Sequence, residues 1–385
     1  MIATLKDLRR SLHQYPEVSG SEALTARRIR TFIDPYAPDE VMEGVGGHGL
    51  LFIYKFGAAG PTILVRCELD ALPIEEVNNF EHRSRVDGVS HKCGHDGHMT
   101  IVAGLAPWLH QQSFDRGKVI LLFQPSEETG EGAKAMLDDP RFAAIRPDYV
   151  FALHNIPGVP LHQVILVPRQ FSATVQSIAI RFYGQTSHAA EPEHGKNPAW
   201  AMAEITRLTA TWTIPDPADP NFTLITPVYT LMGQKDYGIS AGYGELHFTM
   251  RTWSVENMEH LIKRLEHHLD TICRQYHLRL DTEYLDYFPA TVNSDGANEL
   301  IRTAARDAGL AVFQKPVPFK FGEDFGWFAQ RYTGAMFGLG AGMDTPVLHN
   351  EAYDFPDALI DSGMEMFQRI ISLCLATDTI DDSGW

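Results

Sequence analysis

Basic residues are scarce for a chain of this size: 32 Lys and Arg stand against 49 Asp and Glu, a formal net charge of −17. Such a surface repels phosphates, which excludes nucleic acid as an expected partner. Cysteine is scarcer still. Only four occur in 385 residues (Cys67, Cys93, Cys273 and Cys374), and their wide spacing is not that of a disulfide scaffold. There is no uninterrupted apolar run long enough to span a bilayer, so no membrane partner is expected. The opening residues Met1-Ile2-Ala3-Thr4-Leu5-Lys6 lead into an amphipathic pattern at Leu5, Leu8 and Leu12, where a secretory leader would show a basic stretch, an apolar run and a cleavage site. These absences together set a reducing, cytoplasmic location as the expectation.

What is present reads as an ordinary globular chain, 44 % hydrophobic and 21 % charged, without internal repeat or low-complexity tract. Its length exceeds one ordinary core, so two domains are expected. Apolar runs at 62–65, 119–123, 149–153 and 335–339 predict buried strands of a mostly parallel sheet, with helical patterns between them. The middle reads differently. Residues 175–182 alternate Ile178, Ile180 and Phe182 with polar neighbours, as on a half-exposed strand. A helix introduced by Asn197-Pro198 follows, then strands near 223–229 and 244–251, a helix capped by Ser254, and a final strand at 278–285. That order, β-α-β-β-α-β, is ferredoxin-like. The predicted architecture is α/β: a catalytic domain of residues 1–170 and 286–385, interrupted by an α+β domain of residues 171–285.

The densest chemistry lies in His91-Lys92-Cys93-Gly94-His95-Asp96-Gly97-His98. Thiolate and imidazole both suit zinc and related ions, and Cys93 and His95 are spaced to share one site. Asp96 has the alternative of orienting an imidazole from behind. The strand at 119–123 runs into Glu127-Glu128, adjacent carboxylates that repel each other unless something positive neutralises them. A metal does so while one of the pair serves as a base. The strand at 149–153 ends in His154, the strand at 62–65 leads to Asp70, and the run at 335–339 leads to His349. Open α/β sheets bind ligands at the carboxyl ends of their strands, so these groups are placed to converge.

These residues resemble the hippurate hydrolase and indole-acetyl-amino-acid hydrolase branch of the aminoacylase/carboxypeptidase dinuclear metallopeptidases. The resemblance takes in Leu12-His13-Gln14-Tyr15-Pro16-Glu17, Arg66-Cys67-Glu68-Leu69-Asp70, Cys93-Gly94-His95-Asp96-Gly97-His98, Gln124-Pro125-Ser126-Glu127-Glu128, Ser187-His188-Ala189-Ala190, Gly322-Glu323-Asp324-Phe325 and Leu348-His349-Asn350. It implies two divalent ions, zinc or manganese with nickel and cobalt also compatible, held by Cys93, His95, Glu128, His154 and His349. It implies Glu127 as the base that activates a metal-bound water, Asp70 as the residue that orders the site, and His188 as a group that polarises the scissile carbonyl or binds substrate. The expected reaction is hydrolysis of the amide bond of an N-acyl amino acid. The inserted domain would be a lid and dimerisation surface in a homodimer or homotetramer.

Arg251, on the lid strand, is a candidate for pairing with a substrate carboxylate. A dipeptidase or carboxypeptidase is the neighbouring alternative, and a non-catalytic metal-binding protein the alternative of another class. Retention of Glu127 beside Glu128 argues against the last, because binding alone has no use for a base. Two departures from the branch stand out. Residues 238–244 replace its Asn-Ile-Pro-like segment, and Cys67-Glu68 stands where alanine with an acidic residue is usual.

Overall fold

The computed structural model describes residues 2–376, so the last nine residues of the expected 286–385 segment, 377–385, lie outside the described residues. The chain starts with helices α1 (Ile2–Gln14) and α2 (Ala23–Ile33), then strands β1 (Glu40–Val45), β2 (Gly49–Lys55) and β3 (Ala58–Glu68). Helices α3 (His95–Ala103) and α4 (Leu105–Leu109) precede β4 (Arg116–Gln124), α5 (Gly132–Asp138), β5 (Tyr149–Ile156) and β6 (Val164–Leu166). Next come β7 (Thr174–Tyr183), β8 (Ser187–His188), α6 (Ala199–Ala210), β9 (Thr223–Met232), β10 (Ile239–Ser240), β11 (Tyr243–Thr252), α7 (Val255–Gln275) and β12 (Arg279–Phe288). The chain finishes with α8 (Asp295–Asp307), β13 (Val312–Gln314), α9 (Gly326–Ala329), β14 (Thr333–Gly340) and α10 (Leu359–Ala376).

Two compact units result: residues 1–171, 291–316 and 324–385 form one, and 172–290 with 317–323 form the other. The sequence-based range 171–285 stops three residues before the end of β12 at Phe288, and it does not include the later segment 317–323. Those seven residues lie far along the chain from the rest of their unit and carry no periodicity of their own.

The first unit is built on an eight-stranded sheet in the order β1-β2-β4-β3-β5-β14-β6-β13. Its middle four strands, β4-β3-β5-β14, run parallel. All eight residues of β5 are buried, as expected of a strand covered on both faces. One apolar layer joins Leu5, Leu8 and Leu12 of α1 with Ile101 and Val102 of α3, Ile301 of α8 and Phe367, Ile370 and Ile371 of α10. The apolar run at 99–109 reads as one helix in sequence but breaks at Gly104, where a Cβ would come within 2.5 Å of the Met364 sulfur. Pro107 accounts for the break, since it has no N–H to donate to the Ala103 carbonyl and its ring crowds that carbonyl, while the glycine lets α10 pack close. Parallel strands bring their carboxyl ends to one side, and the residues beyond them share that side.

The second unit has the strand order β12-β7-β11-β9, all antiparallel, with α6 and α7 packed on it through Ile205, Met258, Leu261, Leu265, Leu269 and Ile272. Ser254 caps α7 by accepting the Asn257 N–H (3.1 Å), a contact typically worth about 1 kcal/mol. Asn197 caps α6 by accepting the Ala199 N–H (2.9 Å), and Pro198, with helical backbone angles and its carbonyl bonded by the Met202 N–H (3.0 Å), takes the first helical position as expected. Among the described residues, no helix is long and apolar enough to cross a membrane.

Candidate metal centre

Gly94 makes the turn into α3 with φ +94°, and a Cβ there would lie 2.7 Å from the Asn155 Oδ1. The glycine between Cys93 and His95 thus allows the loop to approach the end of β5. As a result the Cys93 sulfur stands 3.5 Å from His154 Nε2. Each imidazole is fixed from behind. His95 Nδ1 donates to the Asp70 carbonyl oxygen (2.8 Å) and His154 Nδ1 to the Asn155 carbonyl oxygen (2.9 Å). A carbonyl only accepts, so Nδ1 carries the proton and Nε2 is the atom turned toward the cluster in both rings. His95 Nε2 lies 3.8 Å from both Glu127 Oε2 and Glu128 Oε1, and His349 Nε2 lies 3.7 Å from Glu128 Oε2. Among the described residues five groups of donor atoms lie within 4.8 Å of one another: Cys93-His95-His154, Cys93-Glu128-His349 and His95-Glu127-Glu128, with Glu68-His95-His98 and Glu127-Glu323-Asp324 beside them.

Donors sharing one tetrahedral ion are about 3.3–3.8 Å apart, given bonds of about 2.0–2.3 Å. The observed separations fit. The electrostatics fit as well. Burial, together with Glu128, Glu127 and Glu68, pushes the Cys93 thiol far above its ordinary range. Burial opposes charge on His95, yet Asp70, Glu68 and Glu128 outweigh it and lift the imidazolium to about 10. A divalent cation at this place would supply the positive charge that the carboxylates favour and allow the thiol to ionise. His95 Nε2 and Asp70 Oδ1 are buried with no hydrogen-bond partner, which is costly in a completed core.

The structure thus gathers Cys93, His95, Glu127, Glu128, His154 and His349 in one cluster, with Asp70 bracing it. The Asp70 carboxylate accepts the Ser19 hydroxyl (2.7 Å) and the Glu128 N–H (2.9 Å). His188 and Arg251 belong to the second unit. His188 is exposed on β8 and its Nδ1 accepts the Ala190 N–H (3.0 Å), while Arg251 donates to the Lys320 carbonyl (2.8 Å). Asp96 does orient an imidazole, but that of His13 (2.8 Å) rather than a member of the cluster.

Several site residues escape sequence reasoning. Glu68 is buried at the end of β3, where Arg66 pairs with it, and it holds His98 Nδ1 at 2.7 Å. His98 reaches Asn155 with its other nitrogen, and Asn155 in turn donates to the Tyr353 hydroxyl (2.6 Å). Both ring nitrogens of His98 are therefore engaged, and it serves as a buried strut under His154. Both residues stand in motifs visible in the sequence, but nothing there signals that they pair with each other.

A second buried network flanks the loop. His13 lies between Asp96 (2.8 Å) and Glu76 (3.1 Å), Lys92 donates to Glu76 (2.6 Å), and Arg9 approaches Asp96 (3.3 Å). Burial pulls the His13 pKa down, but the two carboxylates outweigh it and raise the value to about 9. A raised pKa stabilises the fold fully below the unfolded value near 6.5 and ceases to do so as pH rises through about 9. The unfolding free energy of wild type minus that of His13→Gln should therefore shrink by about 3 kcal/mol between pH 6.5 and 9.5. Denaturant titrations at several pH values check this, and a flat difference contradicts the paired charge.

With this geometry in hand, the class is a hydrolase built on an α/β sheet, with a candidate metal centre beyond the strands' carboxyl ends. The family model for peptidase family M20/M25/M40 matches residues 64–373, and the chain belongs to that family of hydrolases. Among curated relatives, hippurate hydrolase of Campylobacter jejuni is 27 % identical over 366 residues, covering 94 % of both chains. N-acetyl-L-cysteine deacetylase of Bacillus subtilis is 30 % identical over 362 residues, covering 92 % of this chain and 84 % of the relative. Among solved structures, the YXEP protein of Bacillus subtilis, described as a dinuclear metal binding peptidase of the M20 family, superposes with a TM-score of 0.82 at 23 % identity. That match covers 98 % of this chain and 99 % of the other.

Proposed function

We propose that the protein hydrolyses the amide bond of N-acyl amino acids, releasing a carboxylic acid and an amino acid. One observation carries the reading: Cys93 belongs to two donor groups, with His95 and His154 on one side and Glu128 and His349 on the other, as a thiolate shared between two ions requires. Cys93, His95, Glu128, His154 and His349 would hold the pair, and a thiol beside imidazoles favours zinc over manganese. When bound, such ions polarise the scissile carbonyl and acidify the attacking water. Glu127 takes the proton of that water as the C–O bond forms, then delivers it to the nitrogen as the C–N bond breaks. Asp70 keeps His95 and the Glu128 backbone in place.

His188, whose Nδ1 is already an acceptor, presents Nε2–H as a donor for the developing oxyanion. Arg251 would receive the substrate carboxylate. Association into a homodimer or homotetramer is supported by β9, an edge strand that exposes Val228, Tyr229, Leu231 and Met232.

The test is a panel of N-acetyl and N-benzoyl amino acids and of dipeptides, offered to chelated protein reloaded with zinc, manganese, nickel or cobalt. Turnover of the acyl amino acids at least tenfold faster than of dipeptides is expected (about 1.4 kcal/mol of discrimination). Preference for dipeptides replaces this reading with a dipeptidase, and turnover of neither leaves metal binding alone.

A further inference from the structure

The segment between α1 and α2 touches the turn that carries Glu127, the base of the proposed reaction. Ser126 stands between the end of β4 and Glu127 with φ +51°, a left-handed conformation that a residue with a Cβ rarely adopts unless held. Glu22 is fully buried, and its Oε1 accepts the Ser126 N–H (2.8 Å), the Ser126 hydroxyl (3.2 Å) and the Gly20 N–H (2.9 Å). Two residues on, the Glu128 N–H is accepted by Asp70, which is itself held by Ser19. The backbone on either side of Glu127 is thus anchored to a buried carboxylate, and both anchors depend on residues 19–22. The Ser126 carbonyl is tied in turn by the Gly132 N–H (3.0 Å), so the turn is closed on its other side as well.

We infer that Glu22 is a positioning residue: it holds Ser126 in the left-handed turn that aims the Glu127 carboxylate. The inference rests on Glu127 being the base, and it extends that reading to a residue more than a hundred positions away. What matters on this account is the reach of Oε1 rather than the charge of Glu22. Shortening the side chain should therefore do harm, and removing its charge should not.

Glu22→Asp and Glu22→Ala should each lower kcat by about tenfold or more with KM nearly unchanged, because misaiming a catalytic group costs rate rather than substrate binding. Glu22→Gln keeps an Oε1 acceptor and should retain most of kcat, although its amide replaces an Oε2 that has no hydrogen-bond partner and thermal stability should fall. Adding Ser126→Gly to Glu22→Asp should recover part of the lost rate, since glycine takes the left-handed conformation unaided. Amide hydrogen exchange on the chelated proteins gives a readout independent of activity. The Ser126 amide should exchange faster in Glu22→Asp than in wild type and in Glu22→Gln.

Glu22→Asp with wild-type kcat, Glu22→Gln as damaged as Glu22→Asp, or an unaltered Ser126 exchange rate would each overturn the inference. If Glu22→Ala does not fold, the Asp and Gln pair alone decides it. Glu127→Gln run in the same assay separates the two ideas. Full activity in that variant removes the base itself, whereas an inactive Glu127→Gln beside active Glu22 variants removes only the positioning role.

Discussion

Glu127→Gln is expected to lower kcat by about 10²–10⁴-fold, or about 3–5 kcal/mol of transition-state stabilisation, while the protein keeps its metal. The size of the side chain is preserved, so substrate should still bind and KM should change little. Stability gives a second signature. Glu127 stands 5 % exposed beside Glu128 and near the Cys93 thiol, and its carboxylate contributes to holding that thiol up. Taking one negative charge from this crowd should leave the melting temperature of the chelated protein unchanged or higher. Metal content by mass spectrometry, steady-state kinetics and a thermal melt on one preparation check all three points. Near-normal turnover would remove the mechanism, and lost metal would reassign Glu127 as a ligand.

Cys93→Ala should have the second large effect, through binding instead of chemistry. Cys93 is shared by two donor groups, so its loss should deplete both positions. Dialysed protein should carry less than half the wild-type metal, and activity should fall with it. Wild type should also be stabilised by added ion, by about 2.7 kcal/mol at a hundred times the dissociation constant, and Cys93→Ala should lack most of that gain. Undiminished metal content in the variant would exclude the shared-thiolate arrangement. Chelation alone leaves Cys93 a buried, protonated thiol, so alkylation near neutral pH is a poor probe of it; labelling becomes informative only at high pH.

Two of the strand positions were legible because an apolar run meets polar groups, Glu127-Glu128 just beyond β4 and His154 within β5, whereas His349 stands nine residues beyond β14 and was marked by its motif Leu348-His349-Asn350. Periodicity located the helices of the second unit for the same reason, since Met258 to Ile272 line one face of α7. Other features were hidden by distance along the chain. Glu22 and Ser126 are neighbours only once the sheet forms, and neither residue type is informative where it stands. Glu68 and His98 belong to visible motifs, but nothing local says that they bind each other instead of an ion. The break between α3 and α4, by contrast, has a local cause: Pro107 cannot donate to the Ala103 carbonyl, which an apolar pattern read alone passes over.

The pairing of β5 with β14 has a consequence for how the protein is made. Tyr149 lies opposite Thr333 and Ile156 opposite Gly340, and the whole second unit is encoded between them. During synthesis β5 therefore emerges long before the strand that covers its edge, with eight apolar or site-forming residues waiting for a partner. Loop closure of this length is slow and leaves an unpaired edge exposed. The second unit, whose strands are all nearer in sequence, is placed to fold first and to shorten the effective distance across that gap. His349 follows β14, so the nascent chain cannot assemble the full donor set until this last pairing is made, and metal should be acquired at the end of folding rather than guide its beginning.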